Sequence, residues 1–237
     1  MKAELKFGYY SSIILVVITL ITFAFALTAI PIAGTFCPSD CVEYPYLNTI
    51  QQFLYDFRWI YFAIVMLISF LAYMISLHYY SSRERKIFSQ IALIIATISA
   101  TVLLADYFIQ ISVVPASLLN GEVEGIPLII QYNPHGIFIA LEELGYILMS
   151  ISFLFVAQIF NKDIRIENYI KWIFIISFIL VLLSFIVVTF NRGLVRKDQF
   201  EVYVISIDWL VLIVNGILMS IVFKRKLGQL SNKKDLD

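Results

Sequence analysis

Cysteine and histidine are scarce in this sequence, two of each in 237 residues. That supply is small for a structural zinc site, and no metal-ligating set is expected. Net charge is absent, because 17 Lys and Arg balance 17 Asp and Glu. A neutral chain has no electrostatic draw toward nucleic acid, so none is expected as a partner. No Gly-rich phosphate loop of the G-x-x-x-x-G-K-[ST] form occurs. Nor is there a convincing internal repeat, so the inverted-repeat signature of many transporters is not visible. No cofactor can be named from the residues.

What the chain has in excess is apolar sequence. Hydrophobic residues make up 61% of it, and the mean hydropathy is +0.89. A soluble domain carries roughly 45–50% apolar residues. The excess falls into six runs, at 9–30, 59–80, 87–114, 134–160, 169–190 and 200–223. Each is about the length that a helix needs to span a bilayer. The first run follows Lys2 and Lys6, and Ala24-Phe25-Ala26 has the small-x-small form of a signal cleavage site. The run is longer than the roughly 7–15 apolar residues of a signal peptide, which favours a retained helix. The fold expected is therefore all-α: one integral membrane domain over 1–237, a six-transmembrane-helix bundle without a separate soluble domain.

Six spans put both termini on one side. The basic residues then segregate. Thirteen of the 17 fall on the side of the termini: Lys2, Lys6, Arg83, Arg85, Lys86, Lys162, Arg165, Lys171, Lys224, Arg225, Lys226, Lys233 and Lys234. The other side holds Arg58, Arg192, Arg196 and Lys197. Positive residues collect on the cytoplasmic side, so the bias predicts an N-in, C-in, multi-pass protein of the cell membrane. The loop 31–57 then lies outside, and it contains no Lys or Arg. Cys37 and Cys41 sit in it around Pro38-Ser39-Asp40, and an oxidising compartment permits a disulfide between them. A redox motif is disfavoured, because the spacing is C-x3-C rather than C-x-x-C.

The fourth run carries the chemistry of most interest. Glu142 and Glu143 lie side by side in an otherwise apolar stretch. An ionisable group in a spanning helix costs at least ~2.5–3.5 kcal/mol, so something must offset it. Asn133 suits the N-cap and Pro134 the first helical position. On that register His135, Glu142, Met149 and Phe153 share a stripe, with Tyr146 close by and Glu143 toward Tyr146 and Ser150. Leu144, Ile147, Leu148, Ile151, Leu154 and Phe155 form the opposite, greasy face. The third run adds Asp106 and Gln110, and the sixth adds Asp208. Asp106, Glu142 and Asp208 each lie seven residues from the expected outer end of their helix, which is about 10 Å of depth.

Carboxylates brought together in low dielectric must share protons, bind a cation or meet a base. No Lys or Arg lies deep in any run, so Arg58 is the nearest base by depth, with Arg192 or Arg196 behind it. The expected site is an acidic pocket in the outer half of the membrane. Its ligand-binding candidates are Asp106, Gln110, Asn133, His135, Glu142, Glu143, Tyr146 and Asp208. It would bind or transport a proton, a cation or a small cationic ligand. One alternative is an intramembrane enzyme acting on a lipid-like substrate, with Glu142 or Glu143 as acid or base and His135 assisting. Another is a structural or assembly protein whose polar network only joins helices. The Glu142-Glu143 pair resembles the paired glutamates of CAAX-processing intramembrane proteases. Ile147 stands where that pattern has arginine, so the resemblance is set aside. His78 and His135 fall near opposite faces of the membrane, which disfavours a bis-histidine haem.

Overall fold

The computed structural model describes residues 2–29, 31–49, 57–193, 196 and 198–234. Residues 50–56 of the expected 31–57 loop, residue 30 of the first run, and Lys197 of the last connection lie outside the described residues. The helices are α1 (Lys2–Thr28), α2 (Arg58–Tyr80), α3 (Lys86–Ser112), α4 (Val114–Asn120), α5 (Ile126–Ile129), α6 (Ile137–Val156), α7 (Arg165–Arg192) and α8 (Gln199–Lys234). No strand occurs among the described residues. Six helical stretches are long and apolar enough to cross a membrane, which fits a multi-pass membrane protein. Large apolar side chains on their outer faces remain exposed, among them Ile68, Ile94, Leu183 and Val187. A bilayer environment is consistent with that surface.

The six long helices close into a ring. α1 packs on α2 and α8, α2 on α3, and α3 on α6; α6 and α7 both pack on α8. α6 is the most enclosed of the six long helices and α7 the least. The partly exposed Leu144, Ile147, Leu148, Ile151, Leu154 and Phe155 mark its outer side, as its pattern of apolar residues predicts. Lipid tails are as apolar as leucine, so close packing and polar contacts must hold such helices together. Gly145 lets α6 approach α3: a Cβ there would stand 2.4 Å from Leu103 Cγ. Across the same contact Ser99 Oγ donates to the Gly145 carbonyl at 2.7 Å. Gly216 plays the same part between α8 and α1, with Val16 Cγ2 2.6 Å from where its Cβ would lie.

The two ends of the bundle differ in chemistry. At the basic end the short connections are tied down by charge. Arg85 donates to the Ile159 and Phe160 carbonyls at 3.2 and 2.8 Å, and Lys86 donates to the His78 carbonyl. Tyr80 donates to Glu167 at 2.5 Å, and Lys226 Nζ sits 4.0 Å from the Tyr80 ring centre.

At the other end the Cys37–Cys41 disulfide is formed. Gly34 adopts φ +80°, which brings the Thr35 amide onto the Asp198 carboxylate at 2.9 and 3.2 Å. A Cβ on Gly34 would collide with that carboxylate, so glycine is required twice over.

The 115–132 connection folds over the helix ends at this disulfide end. Pro115 lacks an amide hydrogen, so the chain leaves α3 and restarts as α4. α4 stops at Gly121, φ +72°. Val114, Ile126 and Ile130 are buried beneath the segment.

One expectation needs correction. α6 begins at Ile137 with Gly136 at its N-cap, not at Pro134 after Asn133. The Asn133 side chain turns elsewhere: its Nδ2 donates to the Pro127 carbonyl at 2.7 Å, and its Oδ1 accepts the His135 amide at 2.9 Å. Those bonds fold 131–136 into turns above the helix.

Candidate functional site

Three carboxyls from three helices meet near the disulfide end. Glu142 on α6 is fully buried, and Asp106 on α3 is 2% exposed. Glu201, in the first turn of α8, is within hydrogen-bonding reach of Glu142, and Asp106 lies close enough to both to interact electrostatically. Two carboxyls hydrogen-bond only through a shared proton, since a carboxylate has no donor of its own.

The other side of Glu142 is held by a chain of donors with one possible direction. The Trp209 indole can only donate, and it donates to the Tyr146 hydroxyl at 3.0 Å. The Tyr107 hydroxyl donates to Glu142 Oε1 at 2.6 Å. Tyr107 and Tyr146 hydroxyls are 2.9 Å apart. Each hydroxyl has one proton, so Tyr146 donates to Tyr107. The sequence Trp209, Tyr146, Tyr107, Glu142 therefore runs from α8 through α6 and α3 and ends on a carboxylate oxygen. Such chains polarise each link in the same sense. Glu142 Oε2 and Asp106 Oδ2 are buried and meet no donor among the described residues.

A cavity of about 400 Å³ lies against this cluster. Its walls come from the end of α1, segment 31–36, Trp59 at the start of α2, turns 131–134, the first turn of α6 and the first turns of α8. Glu201 and Asp198 supply its carboxylates, and no Lys, Arg or His lines it among the described residues. Glu201 thus joins the cavity to the buried pair behind it.

The expected site residues divide. Asp106, Glu142 and Tyr146 are brought together. Glu143 is adjacent but faces Arg196, whose Nη2 donates to its Oε2 at 2.7 Å. Asp208 is not level with Glu142: it accepts from Ser150 Oγ at 2.7 Å, and its Oδ2 meets no donor among the described residues. Ser150 is eight residues below Glu142, and Asp208 is seven below Glu201, so both pairs share one register.

The shift has a simple cause. Glu142 lies five residues into α6 and Glu201 two residues into α8, so α6 starts about three residues, or ~4.5 Å of helix, nearer the disulfide end than α8 does. Gln110 faces the connection instead of the acids, donating to the Ile129 carbonyl at 2.5 Å and accepting the Gln131 amide at 3.1 Å. Asn133 serves the turn described above. His135 is exposed and lies outside α6, so the stripe placing it beside Glu142 does not form.

Four contributors escape the sequence reading: Glu201, Tyr107, Trp209 and the cavity itself. Glu201 had a signal, because it sits one heptad before Asp208 on the same face of α8. Tyr107 and Trp209 had none beyond their adjacency to Asp106 and Asp208, since aromatic residues are abundant in every span.

Among the described residues, no group of three or more His, Cys, Asp or Glu is arranged to hold a metal ion. Compared with known protein families, curated proteins and solved structures, the chain matches none.

Proposed function

We propose that this membrane protein binds, and in doing so transports or senses, a proton or a small cation at the acidic cluster of Asp106, Glu142 and Glu201. The observation that carries this reading is the position of Glu201. It lines a cavity on one side and reaches a fully buried carboxyl on the other. A structural network needs no cavity on a carboxylate, and a binding site does. The hydrogen-bonded chain from Trp209 holds Glu142 in place without neutralising it. Glu143 has its own cation in Arg196 and serves the fold. With the termini on the cytoplasmic side, as the basic residues favour, the cavity opens to the outside of the cell membrane.

The structural reading is favoured at one place, the Ser150–Asp208 contact, which joins α6 to α8 away from the cavity. The enzyme reading loses support for its assisting group, because His135 is exposed outside α6 while both glutamates are buried.

The test is thermal stability of the purified protein against pH and cation, wild type beside Glu142→Gln. Glutamine keeps an oxygen for Tyr107 but cannot ionise. The wild type is expected to respond to both variables, and the variant to keep its fold while losing most of that response, because a titrating group has been removed. Superimposable curves for the two proteins would defeat the proposal.

A further inference from the structure

The cavity beside Glu201 is mostly apolar, and one part of its wall is aromatic. Phe23, Trp59, Phe138 and Trp209 face it. Trp59 and Trp209 ring centres are 6.3 Å apart at 56°, and Phe23 meets Trp209 edge-on at 5.7 Å. Tilted rings of this kind make a corner rather than a flat wall. Resting on the acidic-pocket reading above, we propose that this corner and Glu201 together bind the ammonium group of a small organic cation.

The argument is by elimination among ligand chemistries. An anion would face Glu201 and Asp198 with no base on the wall among the described residues. A wholly apolar molecule would strip water from Glu201 and give it nothing in return. An inorganic cation needs several oxygen ligands. Here Asp198 already accepts the Thr35 amide, and most of the remaining wall is carbon. An organic ammonium ion suits what is present. Aromatic faces attract it, tryptophan most strongly, and one carboxylate balances its charge. The volume, about 400 Å³, lies in the range of pockets that hold small organic molecules. Behind Glu201 lie the buried carboxyls of Glu142 and Asp106, whose Oε2 and Oδ2 meet no donor among the described residues.

Trp59 and Trp209 make the site report on itself. Choline chloride and tetramethylammonium chloride are titrated into the purified protein in a maltoside detergent, following tryptophan fluorescence and thermal stability. Sodium chloride at equal ionic strength is the blank. A saturable fluorescence change and a stability gain beyond the blank are expected. Glu201→Gln and Trp59→Leu are each expected to weaken binding about tenfold. Phe190→Leu, at an 87% exposed position on α7, should leave it unchanged.

No saturable response to either ammonium salt would overturn the proposal, as would a response equal in wild type, Glu201→Gln and Trp59→Leu. If the ammonium salts are silent while pH or sodium still shifts wild type but not Glu142→Gln, the acidic-pocket reading stands and only the ammonium assignment fails. A further arm separates two sources of the same chemistry. Short-chain phosphatidylcholine displacing choline at lower concentration identifies a lipid headgroup; choline binding that this lipid does not displace identifies a free cation.

Discussion

Removing the Tyr107 hydroxyl tests whether the donor chain matters to the fold, and the molecule contains its own control. Tyr107→Phe keeps the ring, which packs edge-on to Trp59 at 5.4 Å and beside Phe138 at 6.1 Å. It deletes the donor to Glu142 Oε1 and the acceptor for Tyr146. Glu142 Oε2 has no donor among the described residues, so the change leaves Glu142 with none from Tyr107 on either oxygen. A hydrogen bond to a charged group contributes ~1.5–3 kcal/mol and one between neutral groups about 1 kcal/mol. Relaxation of Tyr146 recovers part of that, so the expected loss is about 2 kcal/mol. That loss shifts the folded-to-unfolded ratio by roughly 30-fold.

Tyr73 is equally buried, but its hydroxyl has no partner among the described residues. Tyr73→Phe should therefore be neutral or stabilising by up to ~1 kcal/mol. Both variants are compared with wild type by denaturant titration in mixed micelles. The double variant Tyr107→Phe, Glu142→Gln should show coupling above ~0.5 kcal/mol, as residues in one network do. Equal costs at Tyr73 and Tyr107, or additive effects in the double variant, would refute the reasoning.

Four shorter tests address single contacts and the topology. Arg196→Leu leaves Glu143 without its cation and should cost about 1–3 kcal/mol, while adding Glu143→Leu should restore most of it; unfolding titrations of the single and double variants check this. Gly145→Val drives a side chain into Leu103 and should cost about 1–3 kcal/mol, with partial rescue by Leu103→Ala in the same assay. On the proposed topology, a C-terminal reporter that works only in the cytoplasm should be active. Cys37 and Cys41 should label with an impermeant thiol reagent in intact cells only after reduction.

The architecture was legible because hydropathy is a property of each segment alone. Six apolar runs predict six long helices, and α2 matches its run to within a residue. The disulfide was legible because Cys37 and Cys41 are close in sequence. The inward sector of α6 was legible because Glu142, Tyr146 and Ser150 are all buried there. Each of these inferences uses only spacing along one helix. The start of α6 was misread because Asn133 has two ways to satisfy an amide. It can cap the helix, or it can close a turn with His135 while reaching back to Pro127, and only the packed connection decides between them.

Register between helices is a different kind of quantity, and the site depends on it. Counting seven residues from each expected end places Asp208 beside Glu142. The structure places Glu201 there, one heptad earlier. A heptad is the error that periodicity cannot detect, because residues seven apart share a face of the helix. Either acid satisfies the pattern, and the choice is made by where α6 starts relative to α8. That offset is a relation between two helices, which no single-helix argument contains. The functional difference is large. Asp208 is enclosed and bonded to Ser150, whereas Glu201 lines the cavity. The same heptad thus separates a helix-joining contact from the one carboxyl in the cluster of Asp106, Glu142 and Glu201 that meets the cavity.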